Sequence, residues 1–344
     1  MSKKPNILII YTGGTIGMVE DPSTGTLKPF DFKYLSEQIP EIKRFEINLE
    51  SVSFEKPIDS SDMNPAIWVK MANMIKDNYN HFDGFVILHG SDTMAYSASA
   101  LSFMLENLAK PVIFTGSQLP IGMIRTDGKE NIITAIEIAA ASQNGKPIVP
   151  EVAVYFEFKL YRGNRTHKFN AEHFQAFQSP NYPILAEAGV TIKYNYNAIM
   201  QPEAGQYLKV HTNLNNDIAI IKLFPGISNK VIQAVLQIEN LRAVIFETYG
   251  SGNASVNDEF YHLLEKAINN GLIVLNITQC KSGKVEQGKY ETSSAFNKLG
   301  VISGADLTAE AAVAKLMYLL GSDFDFNKVK KQLKIALRGE LTVS

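Results

Sequence analysis

Short apolar runs alternate with amphipathic helical patterns along almost the whole chain. The runs at residues 7–10 and 84–88 are apolar throughout, which is typical of strands buried on both faces of a sheet. The stretch at 65–78 instead carries its apolar residues at the spacing of one helix face. Because strands that alternate with helices pair in parallel through right-handed crossovers, the pattern predicts an α/β fold.

The alternation breaks down once. Between residues 180 and about 216, tyrosine, asparagine, proline and glycine dominate and no helical period is visible. We therefore predict two parallel-sheet α/β domains joined by an irregular linker. The predicted N-terminal catalytic domain spans 1–188, the linker 189–213 and the C-terminal α/β domain 214–344, and a length of 344 residues also favours two domains.

Element boundaries follow from the same pattern and from capping residues. Asn64 before Pro65 is typical of a helix start, as is Asp127 with Glu130 three residues later, and Asp92 is a third predicted N-cap. Strands are predicted at or within residues 7–10, 45–54, 84–88, 111–114, 152–158, 218–224, 243–249 and 272–278. Helices are predicted at about 65–78, 94–107, 127–145, 229–240, 257–269, 309–320 and 326–337.

Composition excludes several classes of function. The formal net charge of -2 provides no bulk attraction for nucleic acid or an anionic membrane. The apolar run at the N-terminus is too short for a signal-peptide core, and no segment approaches the length of a transmembrane helix. A single cysteine, Cys280, excludes an internal disulfide framework and fits a reducing compartment. We therefore predict a cytoplasmic protein that binds neither nucleic acid nor membrane.

Polar side chains gather where the predicted strands of the first domain end. Because the carboxyl ends of parallel strands lie along one edge of a sheet, where ligands bind in α/β proteins, these side chains should lie together. Gly13 and Gly14 permit a turn that other residues would not, and this turn presents Thr15. In chain order the strand ends supply Thr12, Thr15, Ser60, Ser61, Ser91, Asp92, Ser117 and Lys168.

Hydroxyls, one acid and one lysine form a plausible set for hydrolysis. A threonine or serine hydroxyl is a weak nucleophile unless a neighbour takes its proton, as a lysine does in Ser–Lys variants of the catalytic triad. Asp92 would orient Lys168, and the helix start after Ser61 would offer backbone N–H groups to a substrate carboxylate. The six histidines show no metal-binding spacing, and the glycines at 13, 14 and 17 do not match a dinucleotide fingerprint, so we predict neither a metal nor a cofactor.

Each of these residues also has a purely structural interpretation. The paired glycines fit an ordinary strand-to-loop turn, and Asp92 fits a helix N-cap. Ser60 and Ser61 would then hydrogen-bond within their own loop, and Lys168 would be a surface lysine. The residue types alone leave both interpretations open.

Taken together, the motifs resemble those of a known family. YTGGTIGM at 11–18 and LHGSDTMAYSASALSFMLENL at 88–108 are similar to the two active-site signatures of bacterial L-asparaginases. The resemblance is closest to the cytoplasmic type I enzymes. It implies a two-domain α/β fold and hydrolysis of L-asparagine to L-aspartate and ammonia without a cofactor. Five further motifs extend it over nearly the whole chain: TGSQLP, LYRGNRTHK, ETYGSGNA, TQCKSG and LRGEL.

The resemblance also implies a role for each matched residue. Thr15 resembles the nucleophile that attacks the side-chain amide. Ser91, Asp92 and Lys168 resemble a second triad, which relays protons and activates water, and Asp92 resembles the acid that also receives the substrate's α-amino group. A homodimer or homotetramer is implied as well. The residues similar to the substrate-binding set are Asp59, Ser60, Ser61, Ser117 through its backbone, and Asn253 from the same or a neighbouring subunit.

Three positions depart from the family pattern. Ser91 stands where the motif commonly has a threonine, so the hydroxyl remains but the β-branch that restricts its rotamer is lost. The lid segment at 19–30 lacks the tyrosine of many members, and Thr26 lies about where it would fall. In allosteric type I enzymes an arginine binds the carboxylate of the effector asparagine. This chain has Glu247 at that position. Like charge would repel that carboxylate unless Arg242 or Lys281 compensates, so we expect hyperbolic kinetics.

Other functions fit less of the sequence. A glutaminase or related amidase would act on an amide one methylene longer, a difference of only ~1–3 kcal/mol in a binding pocket. An amidotransferase subunit is disfavoured because no tRNA-binding domain is visible in the sequence. A non-enzymatic asparagine sensor would not need Thr15, Asp92 and Lys168 together. Ammonia release from asparagine and from glutamine separates these alternatives.

Overall fold

The computed structural model describes residues 4–20, 27–29, 39–254, 257–288 and 291–342. These residues form two compact units, and the boundary falls between Thr212 and Asn213. The segment predicted as a linker, 189–213, therefore lies almost wholly in the first unit. Its first part, Ile192–Tyr194, is a strand of the first unit's sheet.

An eight-stranded sheet forms the centre of the first unit, as far as the described residues extend. In chain order its strands are β1 (Asn6–Gly13), β2 (Asn48–Ile58), β3 (Gly84–Leu88), β4 (Val112–Thr115), β5 (Val152–Phe156), β6 (Lys159–Arg162), β7 (Ala186–Ala188) and β8 (Ile192–Tyr194). They lie side by side in the order β8-β7-β6-β5-β4-β3-β1-β2. From β5 to β2 all neighbours are parallel, whereas β6, β7 and β8 add an antiparallel edge.

Three helices connect the parallel strands: α1 (Pro65–Asn78), α2 (Met94–Met104) and α3 (Gly128–Ala140). One core lies between α3 and the sheet, where Ile136 packs with apolar side chains of β1, β3 and β4. The α2 helix is buried on nearly every side, which explains its weak amphipathic pattern. Both α2 and α3 end earlier than predicted, at Met104 and Ala140.

Only one of the three predicted N-caps has its expected geometry. The Asn64 side chain accepts hydrogen bonds from the backbone N–H groups of Ala66 and Ile67, as predicted. The prediction for Asp92 is wrong, because α2 starts at Met94 with Thr93 at the cap position. Asp127 occupies the cap position of α3 but makes no capping bond, since its carboxylate is engaged by a neighbouring loop.

The second unit is built on a four-stranded parallel sheet within the described residues. Its elements are β9 (Ile218–Lys222), α4 (Asn229–Leu236), β10 (Ala243–Thr248), α5 (Asp258–Asn269), β11 (Ile273–Thr278), α6 (Glu291–Leu299), β12 (Ile302–Ser303), α7 (Ala309–Gly321) and α8 (Phe326–Leu333). The strands lie in the order β9-β10-β11-β12, and the core includes Val244, Phe246, Leu264 and Phe296. The predicted α/β class is confirmed in both units, and the sequence pattern did not reveal α6.

A buried ion pair holds the end of the chain against α7. The Nζ atom of Lys315 lies 2.6 Å from Oε1 of Glu340, and both side chains are fully buried. Lys315 also donates to the carbonyl of Ile335, while Glu340 accepts from the backbone N–H groups of Leu337 and Arg338. Burial lowers the pKa of Lys315, and the neighbouring carboxylate opposes that shift.

Smaller elements complete the description. Four two-stranded ribbons pair Met18–Glu20 with Leu27–Pro29, Leu105–Glu106 with Lys209–Val210, Ser142–Gln143 with Lys146–Pro147, and His167–Lys168 with Phe177–Gln178 in the described residues. Short 3₁₀ helices cover Thr15–Gly17, Pro40–Arg44, Ser60–Asp62 and Gly163–Arg165. Among the described helices, none combines the length and apolar character needed to cross a membrane.

Candidate active site

The turn after β1 is packed tightly against the ends of two neighbouring strands. Gly13 has a φ of 140°, and a Cβ there would lie 2.1 Å from the carbonyl oxygen of Ile58 at the end of β2. Gly14 has a φ of 88°, and a Cβ there would lie 2.5 Å from Gly90, just after β3. Only glycine fits both positions. Thr15 follows on a single 3₁₀ turn and is exposed, so the turn presents it at the predicted edge of the sheet.

The loop after β2 also packs against Gly90. A Cβ on Gly90 would lie 2.6 Å from Oγ of Ser60, which is buried. The hydroxyl of Thr93 donates a hydrogen bond of 2.6 Å to the carbonyl of Ser60. The loops that carry Thr15, Ser60 and Ser91 are therefore in direct contact, as the parallel topology predicts.

Lys168 joins Ser91 and Asp92 in one hydrogen-bonded group. Its Nζ atom donates to Oγ of Ser91 at 2.9 Å and forms an ion pair with Oδ1 of Asp92 at 2.6 Å. The lysine side chain is 16% exposed and that of Asp92 is 67% exposed, so the group is open on the aspartate side. A hydroxyl, a lysine and a carboxylate within hydrogen-bond reach can transfer a proton among themselves.

Asp59 and Ser61 form a second, exposed group after β2. Oδ1 of Asp59 accepts hydrogen bonds from the backbone N–H of Ser61 at 2.9 Å and from its hydroxyl at 2.8 Å. These bonds, the backbone one first, lower the pKa of Asp59. The helix predicted after Ser61 begins at Pro65, and the short 3₁₀ helix Ser60–Asp62 lies before it. The N–H of Ser61 itself is engaged by Asp59.

The loop after β4 is anchored by Asp127. Its carboxylate accepts from the backbone N–H groups of Gln118, at 3.1 and 3.0 Å, and of Leu119, at 3.2 Å. Burial raises the pKa of Asp127, and these bonds oppose the rise. Ser117 is buried, and its hydroxyl donates to the carbonyl of Leu119. The Ser117 backbone is thus held in a fixed turn beside β3.

A buried chain of hydrogen bonds supports the loop after β3. Trp68 Nε1 donates to Oγ of Ser97 at 2.9 Å, and the same oxygen lies 2.8 Å from Nε2 of His89. Nδ1 of His89 lies 2.6 Å from the carbonyl of Gly90, so it must be the nitrogen that carries the hydrogen. Burial lowers the pKa of His89 to about 4, which fits a neutral ring that fixes Gly90 next to Ser91.

Residues 6–200 match the family described as Asparaginase, N-terminal, and residues 217–333 match the Glutaminase/Asparaginase C-terminal domain. The chain belongs to the asparaginase family. The predicted family and, with it, the predicted hydrolase class are confirmed.

Individual relatives of this asparaginase-family chain match over nearly its full length. L-asparaginase 1 of Escherichia coli (strain K12) is 45% identical over 99% of this chain and 99% of its own. The 60 kDa lysophospholipase of Mus musculus is 39% identical over 100% of this chain and 64% of its own. The crystal structure of L-asparaginase I from Vibrio cholerae O1 biovar eltor str. N16961 has a TM-score of 0.90 at 43% identity, covering 99% of this chain and 100% of that one.

Two further predicted features of the asparaginase site are Asn253 and the lid segment at 19–30. Asn253 is in the second unit, where two backbone hydrogen bonds of 2.8 Å close a tight bridge between it and Tyr249. Most of the predicted lid, residues 21–26 and 30 with Thr26 among them, lies outside the described residues. On either side of that gap, residues 18–20 pair with 27–29 as an antiparallel ribbon.

Sequence reasoning missed three residues that support this asparaginase-family site. Gln118 lies in the TGSQLP motif, but its side-chain contact with Ser91 is not predicted. The sequence predicts only a capping role for Asp127 and does not predict the bonds of His89 to Gly90 and Ser97. No local signal reveals these contacts, because the partners lie 27 positions apart for Ser91 and Gln118 and 8 to 9 apart for Asp127 and its loop.

In the described residues, no group of three or more His, Cys, Asp or Glu side chains could hold a metal ion.

Proposed function

We propose that this asparaginase-family protein hydrolyses the side-chain amide of L-asparagine to L-aspartate and ammonia. Thr15 is the nucleophile, and Ser91, Asp92 and Lys168 form the proton relay. The observation that carries the proposal is the position of Lys168 Nζ, within hydrogen-bond distance of both Ser91 Oγ and Asp92 Oδ1. The names of the Escherichia coli and Vibrio cholerae relatives, both L-asparaginases, support the choice of reaction.

The first half-reaction uses the exposed hydroxyl of Thr15. Its oxygen attacks the side-chain carbonyl carbon of asparagine, the carbon–nitrogen bond breaks, and the nitrogen leaves as ammonia with the hydroxyl proton. A β-aspartyl ester of Thr15 remains. The packing of Gly14 against Gly90 supports this step, because it sets the nucleophile's loop directly beside the relay's loop.

The second half-reaction uses water and the relay. The water oxygen attacks the ester carbonyl and gives one proton to the oxygen of Ser91, while the hydroxyl hydrogen of Ser91 turns to Lys168 and Lys168 releases one of its own protons to Asp92. The ester bond then breaks, and the oxygen of Thr15 takes a proton back. L-aspartate leaves, so one water is consumed for each ammonia released.

The charged groups of the substrate require separate partners. Ser60 and Ser61 are proposed to bind the α-carboxylate, for which the hydroxyl of Ser61 must turn its hydrogen from Asp59 to the substrate. The exposed carboxylate of Asp92 is suited to the α-ammonium. The resemblance implies that Asp59 also holds the substrate carboxylate, but two carboxylates repel each other, so we assign Asp59 the indirect role of fixing the loop through the backbone N–H of Ser61. The Ser117 backbone and the side chain of Asn253 complete the proposed pocket.

The assembly and location belong to the same proposal. A homodimer or homotetramer follows from the family resemblance, with Asn253 supplied by the same or a neighbouring subunit. A cytoplasmic location is supported by the resemblance to the cytoplasmic type I enzymes and by the single cysteine. L-asparagine is the proposed partner, and neither nucleic acid nor membrane is expected to bind.

An ammonia assay tests the proposed reaction. Purified full-length protein is incubated with L-asparagine or L-glutamine, and ammonia and the amino-acid product are quantified together. We expect ammonia and L-aspartate in equal amounts from asparagine, and a lower kcat/KM with glutamine. Absence of ammonia from asparagine would overturn the proposal, and a higher kcat/KM with glutamine would make the protein a glutaminase.

A further inference from the structure

We propose that Gln118 is a positioning residue that holds the hydroxyl of Ser91 in the one rotamer that contacts Lys168. Serine has no β-branch, so its χ1 angle is free to occupy three staggered wells unless a partner selects one. The inference rests on the proposed function, because Ser91 is taken to be part of the proton relay. Gln118 itself is not assigned contact with the reacting atoms.

The orientation of the Gln118 amide follows from its surroundings. Its Nε2 group donates to two backbone carbonyls, those of Ala171 at 3.3 Å and His173 at 3.2 Å. Rotating the amide by 180° would place its oxygen against both carbonyls, which offer no hydrogen. The oxygen Oε1 therefore faces Ser91, at 3.2 Å from its hydroxyl.

This orientation decides how the hydroxyl of Ser91 is used. An amide oxygen can only accept, so Ser91 must donate its hydrogen to Gln118. The lone pairs of the same oxygen then remain for Lys168, whose Nζ lies 2.9 Å away. Both contacts together require one χ1 rotamer, whereas the contact with Lys168 alone could follow a moving serine through the flexible lysine side chain.

Gln118 is itself held firmly enough for this task. Both oxygens of the Asp127 carboxylate accept its backbone N–H, and Asp127 also accepts from the side-chain amide of Asn131 at 3.3 Å. Asn131 in turn donates to the carbonyl of Gly116 at 2.9 Å. The start of α3 thus fixes the Gln118 backbone from two sides, and the side chain extends from a rigid base.

A competing role for Gln118 is to tie down the loop after Lys168. The carbonyls that it binds, at residues 171 and 173, belong to that loop. The loop has an anchor of its own, because Oδ1 of Asn170 accepts from the backbone N–H groups of Glu172 and His173, both at 2.8 Å. Asn170→Ala is therefore a matched control that loosens the loop without touching Ser91.

A double-mutant cycle tests the inference. Gln118→Met is made in the natural chain and in a Ser91→Thr background, and kcat and KM for asparagine are compared within each background. We expect kcat to fall on the order of ten-fold in the natural chain, as loss of one hydrogen bond allows, with KM little changed. In the Ser91→Thr background, where the β-branch restricts the rotamer, the fall should be below about three-fold.

The outcomes separate positioning from loop anchoring. A loss of kcat that is equal in both backgrounds, or an inactive Ser91→Thr background, would overturn the inference. Asn170→Ala should act equally in both backgrounds, and thermal unfolding checks that each variant is folded. Gln118→Leu replaces the methionine variant if that one does not fold. Absence of asparagine turnover in the unmodified protein would instead overturn the proposed function.

Discussion

At the scale of single residues, two glycines set the backbone on which the proposed nucleophile lies. Gly13 and Gly14 allow the turn after β1 to touch Ile58 and Gly90, and a Cβ at either glycine would collide with backbone. Thr15 is presented by this contact. We expect substitutions of Gly14 to disturb activity through the backbone rather than through any lost functional group.

The nucleophile is tested by Thr15→Ala. We expect turnover to fall by on the order of 10⁴–10⁶, the range seen when covalent nucleophiles are removed from other hydrolases. Thr15 is exposed and lies outside both cores, so circular dichroism and the thermal midpoint should stay close to those of the natural chain. Full activity in a folded variant would remove Thr15 from the mechanism.

The relay is tested by substitutions of Lys168 and Ser91. Lys168→Met removes the atom that joins Ser91 to Asp92, so we expect it to be nearly inactive, and Ser91→Ala should be strongly impaired. Ser91→Thr keeps the hydroxyl and should retain substantial activity. Steady-state kinetics on asparagine provide the measurement, and a natural rate in Lys168→Met would contradict the relay.

At the scale of elements, the junction between β3 and α2 combines the loop of Ser91 with the buried, titratable ring of His89. His89 lies directly after β3, and its bonds to Gly90 and Ser97 connect that strand to α2. Its pKa is lowered to about 4 by burial, with the bond to Gly90 opposing the shift. The stability of this junction should therefore depend on pH.

The sign of that dependence follows from proton binding. An unfolded histidine titrates near about 6.5, so above that pH neither state holds the proton and His89 has no effect. Between about 6.5 and about 4 the unfolded chain binds a proton that the folded chain excludes, so stability falls as pH falls. We expect a loss of up to about 1.4 kcal/mol per pH unit.

The measurement is chemical unfolding of the natural chain and of His89→Asn between pH 7 and 4.5. Asparagine can keep a donor toward Gly90 but does not titrate, so it serves as the reference. As the pH falls, the unfolding free energy of the natural chain should decrease relative to that of His89→Asn. Parallel curves over this interval would show that His89 does not contribute.

A second prediction at this scale concerns the contact of α7 with the closing segment. Glu340→Gln leaves the fully buried ammonium of Lys315 without its partner charge, which costs about 3–5 kcal/mol in comparable buried pairs. The Glu340→Gln, Lys315→Met double variant should recover part of that loss. Glu265→Gln is the surface control, because its contact with His262 is 3.9 Å long and exposed. Equal midpoints for Glu340→Gln and the natural chain would contradict the assignment.

At the scale of the whole molecule, the question is whether asparagine also acts as an effector. Glu247 lies on β10 and is partly buried, where allosteric relatives are expected to have an arginine. Its carboxylate forms an ion pair with Nζ of Lys222 on β9, at 3.7 Å, whereas the sequence suggested Arg242 or Lys281 as compensating cations. Because Lys222 already pairs with the carboxylate of Glu247, the carboxylate of a bound asparagine would have to compete with Glu247 for Lys222.

We therefore expect hyperbolic dependence of the rate on asparagine concentration. An effector that binds both conformations equally weakly shifts no equilibrium between them. Initial rates over a wide concentration range provide the test, and Glu247→Arg is the matched variant for gain of cooperativity. A Hill coefficient clearly above one in the natural chain would show that a different group recognises the effector.

The sequence by itself determined the class of fold and most elements of regular structure. The helix at Pro65–Asn78 and the strand at Gly84–Leu88 have the predicted bounds, because apolar period and capping are local properties of the chain. Parallel topology then predicted that the loops of Thr15, Ser60 and Ser91 share one edge. The capping bonds predicted for Asp92 and Asp127 do not form. The carboxylate of Asp92 instead pairs with Lys168, and that of Asp127 accepts the backbone N–H of Gln118.

Only the tertiary structure decided which of these side chains meet. Lys168 lies 77 positions from Ser91 and 76 from Asp92, and no local pattern measures a distance across such separations. The antiparallel edge formed by β6, β7 and β8 was not predicted for the same reason, because strands of three or four residues are recognisable only through their pairing. Gln118 is the clearest case: its side chain lies between Ser91 and the loop after Lys168 because three separate segments converge there, and convergence is a property of the packed chain.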